Sequence, residues 1–401
     1  MRGFARRSTV AEAIGWLDSR VRRLGDERTA LREAGGRVLA HDVASGVDVP
    51  GFVRAMMDGF AVRAADTIGA SPYNRLPLNV VGESMPGRPF AGRAGPGLAV
   101  RIMTGAPLPE GADAVLPVEL VEIQGDFIFA QGEVSPEKHI GRIGEDISAG
   151  SAVLSAGRRL RPQDIGVLSS IGAAEVVVVR RPRARIVVTG NELLPVGSQP
   201  AGARIVDSNG PMLEALVVRD GGLPIHPGIV PDEPGAILAA LRSDADLVLV
   251  SGGSSVGQED LAPSLLAEHG ELAIHGLAMR PSRPTGMGML DGRPVFLLPG
   301  NPVSCLCAYD FFAGRATRVL GGRSPEWPYR RLRASLKRKA SSTIGRLDYL
   351  RVRCDGGLVE PLSIGGASLL SSTTRADGFV LIPEESEGYP AGTQVEVFLY
   401  D

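Results

Sequence analysis

Three cysteines in 401 residues are too few and too scattered for a disulfide framework or a zinc site. Cys305 and Cys307 stand two apart on an expected helix and so face different ways, and Cys354 lies in a distant strand. Histidine is scarce too, with five in the chain; Ser254, Ser304 and the cysteines have no nearby histidine signature, so no nucleophilic side chain is expected, and His226 and His275 read as structural or exposed. Net charge is nearly missing, at -2 from 43 basic and 45 acidic residues, which excludes an overall field for nucleic acid or an anionic membrane and makes any basic site local. No apolar run is long enough to span a bilayer. Arg2, Arg6 and Arg7 open the chain, but Glu12 and Asp18 break the next stretch before a signal-peptide core could form, so the cytoplasm is the expected address. There are no internal repeats. The 52 glycines and 30 prolines supply many turns yet stay below the roughly 25–30% of low-complexity chains. What remains is a globular chain, 44% hydrophobic, of two to four domains and suited to small-molecule chemistry.

Against these absences stands one repeated pattern. Ile186-Val187-Val188 runs into Thr189-Gly190-Asn191-Glu192, Leu247 to Val250 into Ser251-Gly252-Gly253-Ser254-Ser255-Val256-Gly257, and Val295 to Leu298 into Pro299-Gly300-Asn301-Pro302. Each reads as a buried strand delivering a tight loop to a helix start. Right-handed crossovers put such loops together along the carboxyl edge of a parallel sheet, where ligands of open α/β sheets bind. Glycine lets backbone N–H groups approach closely and a following helix adds its positive dipole end, so the expected guest is an anion such as phosphate or an oxyanion.

The chain divides by pattern. Thr9 with Glu12 makes a capping box, and Val10, Ile14, Leu17, Val21 and Leu24 recur at helical spacing until Gly25. That narrow stripe suits packing against the next helix of the chain or against another subunit. Residues 45–138 read as an inserted β domain of short strands broken by Gly and Pro. Residues 1–44 and 139–181, the latter with a helix entered through Pro162, form a helical connecting unit around it. Residues 182–324 alternate strands with helices, a doubly wound, mostly parallel α/β domain; Asp291-Gly292 marks one antiparallel hairpin. From 325 to 401 helices vanish and a C-terminal β barrel is expected, giving a multidomain fold of α/β plus β class.

Asn301 suits an N-cap and Pro302 the first helical position, which alone describes no more than a well-built helix start. Ser251 to Gly257 is neither the dinucleotide fingerprint nor a P-loop. Taken with Ala55-Met56-Met57-Asp58-Gly59-Phe60-Ala61-Val62-Arg63, Ile102-Met103-Thr104-Gly105-Ala106-Pro107, Glu110-Gly111-Ala112-Asp113-Ala114-Val115, Gly144-Glu145-Asp146-Ile147, Thr189-Gly190-Asn191-Glu192-Leu193 and Ala376-Asp377-Gly378, however, these segments resemble the molybdopterin molybdenumtransferase family, which includes the E domain of gephyrin. The resemblance covers nearly the whole chain. It implies a four-domain homodimer that inserts molybdate into the dithiolene of adenylylated molybdopterin and releases AMP, with Mg2+ or another divalent cation. It also implies a pocket shared between one subunit's α/β domain and its partner's β domain, and transient contact with the adenylylating enzyme and with molybdoenzymes.

Carried over by resemblance, Asp58, Thr104 and Asp146 orient substrate or oxyanion, while Glu192, Asp246 and Asp260 fall on the loop edge of the α/β domain, with Glu192 and Asp260 near the metal. Ser251, Gly252, Gly253, Ser254, Ser255, Pro299, Gly300, Asn301 and Pro302 hold phosphates and pterin, and Arg280 and Arg283 hold an anion. Read alone, Asp58 is also a turn residue, Asp146 a surface charge, Asp260 an N-cap, and the arginines a solvated rim pair. Carboxylates beside a pyrophosphate repel by about 2 kcal/mol per pair at ~8 Å and an effective dielectric of ~20, and a bridging Mg2+ reverses that sign. The chain departs from the family at Arg280-Pro281-Ser282-Arg283-Pro284 for Lys-Pro-Gly-Lys-Pro, at Gly276 for a lysine of some members, at Asn191 for aspartate, at Val53-Arg54-Ala55 for Asp-Asn-Ser and at Asp377 for asparagine. Two rivals stay open: a nucleotide pyrophosphate or amide hydrolase on the related α/β fold of the competence-damage-inducible family, and a non-catalytic cofactor-binding scaffold.

Overall fold

The three glycine-terminated runs are the strands Arg183–Thr189, Leu247–Ser251 and Arg293–Leu298, side by side and parallel at the centre of a seven-stranded sheet in a computed structural model that describes residues 7–252, 261–362 and 369–400. Leu223–Ile225 and Ile229–Val230 add to one side, also in parallel. Gly286–Leu290 and Glu271–His275 add to the other as antiparallel strands. The central strands are apolar throughout because both faces are covered. Ile186, Val188, Leu249, Phe296 and Leu298 pack with the helix Asn209–Arg219 and the Pro302–Leu320 region on one face; Val187, Val248, Val250 and Leu297 pack with Pro234–Arg242 and Leu261–His269 on the other. Successive side chains of a strand alternate between the faces, so each run feeds two cores. The hairpin falls where expected, with Asp291 and Gly292 at φ 49° and 76° joining Leu290 to Arg293.

The chain resolves into two compact units. The first comprises residues 1–28, 36–40 and 177–401. Besides the sheet it holds the C-terminal strands Arg330–Leu336, Leu347–Asp355, Leu358–Pro361, Gly378–Ile382 and Gln394–Leu399, which pair in a closed ring: a five-stranded barrel. Few as the aromatics are, they concentrate here, Trp327 lying edge-on to Phe311 at 4.8 Å, Phe398 at 4.9 Å and Phe379 at 5.4 Å between ring centroids.

The first helix, Val10–Arg20, begins with the expected capping box, Thr9 N–H donating to Glu12 Oε2 at 2.8 Å and Glu12 N–H to Thr9 Oγ1 at 3.1 Å. Val10, Ala13 and Leu17 are buried in the core of the first unit, beside Phe311 and Phe312 of the π-helical turn Tyr309–Ala313. The stripe takes the large apolar surface of the Pro302–Leu320 region rather than the next segment of its own chain, where Asp26–Ala30 is a strand, not a helix.

The second unit comprises residues 29–35 and 41–176. Its mixed sheet orders the strands Ala114–Pro117, Gly59–Val62, Leu98–Ile102, Leu76–Ser84, Phe127–Ala130 and Val121–Gln124, around Phe60, Val62, Leu78, Leu116 and Ile128. Short ladders, Arg54–Ala55 with Ile140–Gly141 and Val43–Ala44 with Ala152–Leu154, and one helix, Pro162–Ser170, complete it. Pro162 stands in the first turn of that helix as its fixed φ and missing N–H favour.

Candidate functional site

Convergence of the three loops is enforced by contacts between them. The Asn209 side-chain amide donates to Ser251 Oγ at 2.8 Å and to the Gly300 carbonyl at 2.7 Å, joining the second loop to the third from the start of the Asn209–Arg219 helix. Gly252 lies so close to the first loop that a Cβ would come within 2.1 Å of the Thr189 carbonyl oxygen, and its φ of +99° suits glycine alone. A Cβ on Gly300 would in turn meet the Gly252 Cα at 3.8 Å. Asp207 holds the start of the helix, accepting the Asn209 and Gly210 N–H groups at 2.9 and 3.0 Å. Asn301 is the N-cap and Pro302 succeeds it as expected, yet the Asn301 side chain makes no capping bond. Gly253, Ser254, Ser255 and Asp260 lie outside the described residues.

Glu192 is exposed on the first loop, its carboxylate folded over Gly190. Beside it stands an acid that the motifs did not single out. Asp232 comes just after the short strand Ile229–Val230, accepts the Thr189 hydroxyl, and takes the Asn191 N–H at 3.2 Å. The signal was present: an apolar pair, then Pro231-Asp232-Glu233-Pro234 and a helix, the same strand–loop–helix order as the run that ends at Leu298.

Asp246 does not stand where the resemblance puts it. It precedes Leu247–Ser251, so it lies at the amino end of that strand, the opposite side of the sheet from the loops. There it receives the Arg180 guanidinium at 2.6 and 2.9 Å and the Arg183 N–H at 2.7 Å. Taking Asp246 for the loop edge mistakes the beginning of a buried strand for its end.

Arg280 and Arg283 line a cavity of about 330 Å³ with Pro299, Asn301, Arg346 and Arg7. The bend that carries them is set by Ser282, whose φ is +83°, whose hydroxyl donates to the Ser304 carbonyl at 2.5 Å, and whose own carbonyl accepts the Thr285 hydroxyl at 2.8 Å. Arg346 comes from the barrel domain and was missed, since nothing near it in sequence marks a site. It is aimed by buried Asp348, bonded to Nε at 2.9 Å and steadied by the Ser342 hydroxyl at 2.9 Å. Guanidinium groups beside loops of this kind suit oxygen-rich anions. Cys305, 3.9 Å from Ser251 Oγ, offers no nucleophile at neutral pH because burial pushes its thiol up to about 12.

Asp58 and Thr104 stand together in the second unit. Thr104 N–H and Oγ1 both donate to Asp58 Oδ1, at 2.8 and 2.7 Å. The backbone donor above all, then the hydroxyl, holds the Asp58 carboxyl below its ordinary range. Ala55 gives its N–H to Ala106 and takes that of Gly105, while Arg54–Ala55 pairs with Ile140–Gly141. Asp146 is exposed, its N–H on the Val49 carbonyl at 3.1 Å. Next to it Glu145 is kept ionised chiefly by Arg54, 2.7 Å away.

Among the described residues no three His, Cys, Asp or Glu side chains gather tightly enough to cage a metal. Glu192 and Asp232 on adjoining loops supply hard oxygen donors of the number Mg2+ takes from protein when phosphates and water complete its shell. No helix is long and apolar enough to cross a membrane, among the described residues.

Comparison with known proteins divides the chain in three. Residues 8–172 match the family described as "MoeA N-terminal region (domain I and II)", 185–318 the "Probable molybdopterin binding domain" and 333–400 the "MoeA C-terminal region (domain IV)". Molybdopterin molybdenumtransferase 2 of Mycobacterium tuberculosis is 35% identical over 381 residues, 92% of this chain and 93% of its own. The molybdopterin molybdenumtransferase of Haemophilus influenzae is 34% identical over 380 residues, 92% of each. A crystal structure of the molybdopterin biosynthesis MoeA protein from Pyrococcus horikosii is similar with a TM-score of 0.85 at 34% identity, over 99% of this chain and 100% of that one. With all three regions matched in order and identity held across more than nine-tenths of its length, the chain belongs to the MoeA family of molybdopterin molybdenumtransferases.

Proposed function

We propose that this chain carries out the family's transfer at the carboxyl edge of its α/β sheet, inserting molybdate into the dithiolene of adenylylated molybdopterin and releasing AMP. The observation that carries the reading is the junction at Asn209: loops fastened to one another open beside a cavity lined by Arg280, Arg283 and Arg346. Ser251, Gly252, Pro299, Gly300, Asn301 and Pro302 lie on those loops and hold the pterin and its phosphates. The arginines hold molybdate or the pyrophosphate, a guanidinium–oxyanion pair at ~4 Å and an effective dielectric of ~20 being worth about 4 kcal/mol before desolvation.

Glu192 and Asp232 would hold a divalent cation, with Asp260 a third candidate beyond the described residues. When bound, that cation offsets repulsion between the carboxylates and the pyrophosphate and draws charge from the leaving phosphate. Asp58, ionised by its Thr104 bonds, and Asp146 orient substrate from the second unit. In a homodimer these residues reach the α/β domain of the partner, so that one pocket draws on two chains. The product is handed on through transient contacts with the adenylylating enzyme and molybdoenzymes. Three free thiols and no disulfide agree with a cytoplasmic setting.

The hydrolase alternative leaves the β unit and the Arg346-bearing barrel without a task, and the scaffold alternative leaves the arginine cavity unexplained. The test is to incubate the protein with adenylylated molybdopterin, Mg2+ and molybdate, following AMP release and reconstitution of a molybdoenzyme. AMP release without reconstitution would support the hydrolase, and neither would support the scaffold.

A further inference from the structure

Residues 276–280 lie between two neighbours. On one side Ser8 bridges Leu277 in parallel, its N–H on the Gly276 carbonyl at 3.1 Å and its carbonyl taking the Ala278 N–H at 2.9 Å. On the other, Met279 and Arg280 pair with Leu347 and Asp348 of the barrel, and the Leu347 N–H reaches the Ala278 carbonyl at 3.0 Å. Three segments thus lie side by side, and each brings an arginine to the same cavity of about 330 Å³: Arg7, Arg280 and Arg346. We propose that Arg7 is a further anion-binding residue of this site, delivered by the segment that precedes the first helix; the inference rests on the oxyanion reading above.

The backbone at Arg7 is well placed for this. Ser8 is tied to the 276–278 stretch and Thr9 is locked in the capping box, so the residue before them leaves a fixed point, and only its side chain has to be ordered on binding. Charge favours it too. Arg7, Arg280, Arg283 and Arg346 line the cavity, no acidic residue lines it among the described residues, and the carboxylate that pairs with Arg346 is buried behind it. Four arginines lining one cavity suit a dianion or a pyrophosphate better than a monoanion.

The experiment titrates molybdate and, separately, inorganic pyrophosphate into the full-length protein at low salt, comparing wild type with Arg7→Ala, Arg7→Lys and Arg280→Ala. Arg7→Ala should bind one or both anions about three- to tenfold more weakly, with Arg7→Lys recovering part of the loss. The deficit should shrink as salt rises toward ~0.5 M, because Arg7 is exposed and screened, while melting stays that of wild type. Wild-type affinity in Arg7→Ala alongside weakened binding in Arg280→Ala would overturn the role of Arg7 alone. A deficit that ignores salt and comes with a lowered melting temperature would also overturn it, assigning Arg7 to the fold. No binding by wild type, or equal binding in Arg280→Ala, would instead sink the oxyanion reading beneath it.

Discussion

Replacing Asn209 by alanine removes the side chain that fastens two pocket loops to one helix. Asn209 is 6% exposed, so water does not readily take over its bonds at 2.8 Å to Ser251 Oγ and 2.7 Å to the Gly300 carbonyl. Each neutral bond contributes about 1 kcal/mol net, and a buried acceptor left unpaired costs about 1–3 kcal/mol more. Ser251 Oγ can turn toward Cys305 Sγ, 3.9 Å away, so the Gly300 carbonyl is the group that loses its donor. Against this, Asn209 Oδ1 is itself buried without a hydrogen-bond partner among the described residues, and deleting it recovers some desolvation. The balance is a loss of about 2 kcal/mol in stability. Function should suffer more, since loops that drift by about 1 Å forfeit on the order of a hundredfold in rate. Asn209→Asp is the decisive companion: it keeps the size but turns an acceptor toward Gly300, so it should not rescue. The assay pairs denaturant unfolding with kcat/KM for AMP release at a temperature where every variant is folded, and adds hydrogen exchange at residues 251–252 and 299–302. If Asn209→Ala and Asn209→Asp keep wild-type stability, exchange and kcat/KM, the clasp is not what assembles the site.

Glu192→Gln and Asp232→Asn should melt like wild type yet release AMP at least tenfold more slowly, with a raised Mg2+ requirement; normal Mg2+ titrations in both would remove the metal from these loops. Asp246→Asn should do the reverse, lowering stability by about 1–3 kcal/mol through its charge-assisted bonds to Arg180 and the Arg183 N–H while kcat/KM of the folded protein holds, and a selective loss of kcat would return Asp246 to the reaction. Chains carrying Asp58→Asn and Glu192→Gln, each impaired alone, should regain activity when mixed and allowed to exchange, and hybrids no better than the single variants or an active monomer would refute a pocket shared between subunits. Because Thr104 lowers the Asp58 pKa, the carboxylate stays charged through neutral and mildly acid pH, and its contribution is lost only as pH falls through that depressed value; an Asp58-dependent activity loss centred above the ordinary carboxylate pKa of about 4 would contradict the bond geometry.

The parts of this molecule that repeat a physical pattern were legible before any coordinates. Strands covered on both faces must be apolar throughout, so 186–188, 247–250 and 295–298 announced a parallel sheet, and the Asp291-Gly292 pair announced its antiparallel end. Loop convergence followed from the handedness of crossovers. The direction of a residue along its strand was there to be used as well: with Leu247 to Val250 running into the Ser251 loop, Asp246 comes before its strand, whereas Asp232, behind Ile229–Val230, comes after one.

The arginine cavity was half legible for a different reason. Arg280 and Arg283 stand where the family has its Lys-Pro-Gly-Lys-Pro loop, so the resemblance could single them out, whereas Arg346 carries no local mark and Arg7 shows only as one of the arginines that open the chain. Their meaning comes from the ladder of residues 276–280, which takes Ser8 on one side and Leu347 on the other. The hydrogen bonds of such pairings are made by backbone groups of segments far apart in the chain, so no local stretch of sequence announces them. A nearly neutral chain can therefore bring arginines to one cavity from places as far apart in its sequence as residues 7 and 346. Net charge, from which no nucleic-acid partner was expected, was silent about this cavity because Coulomb energy depends on distance in space, and the fold alone sets that distance.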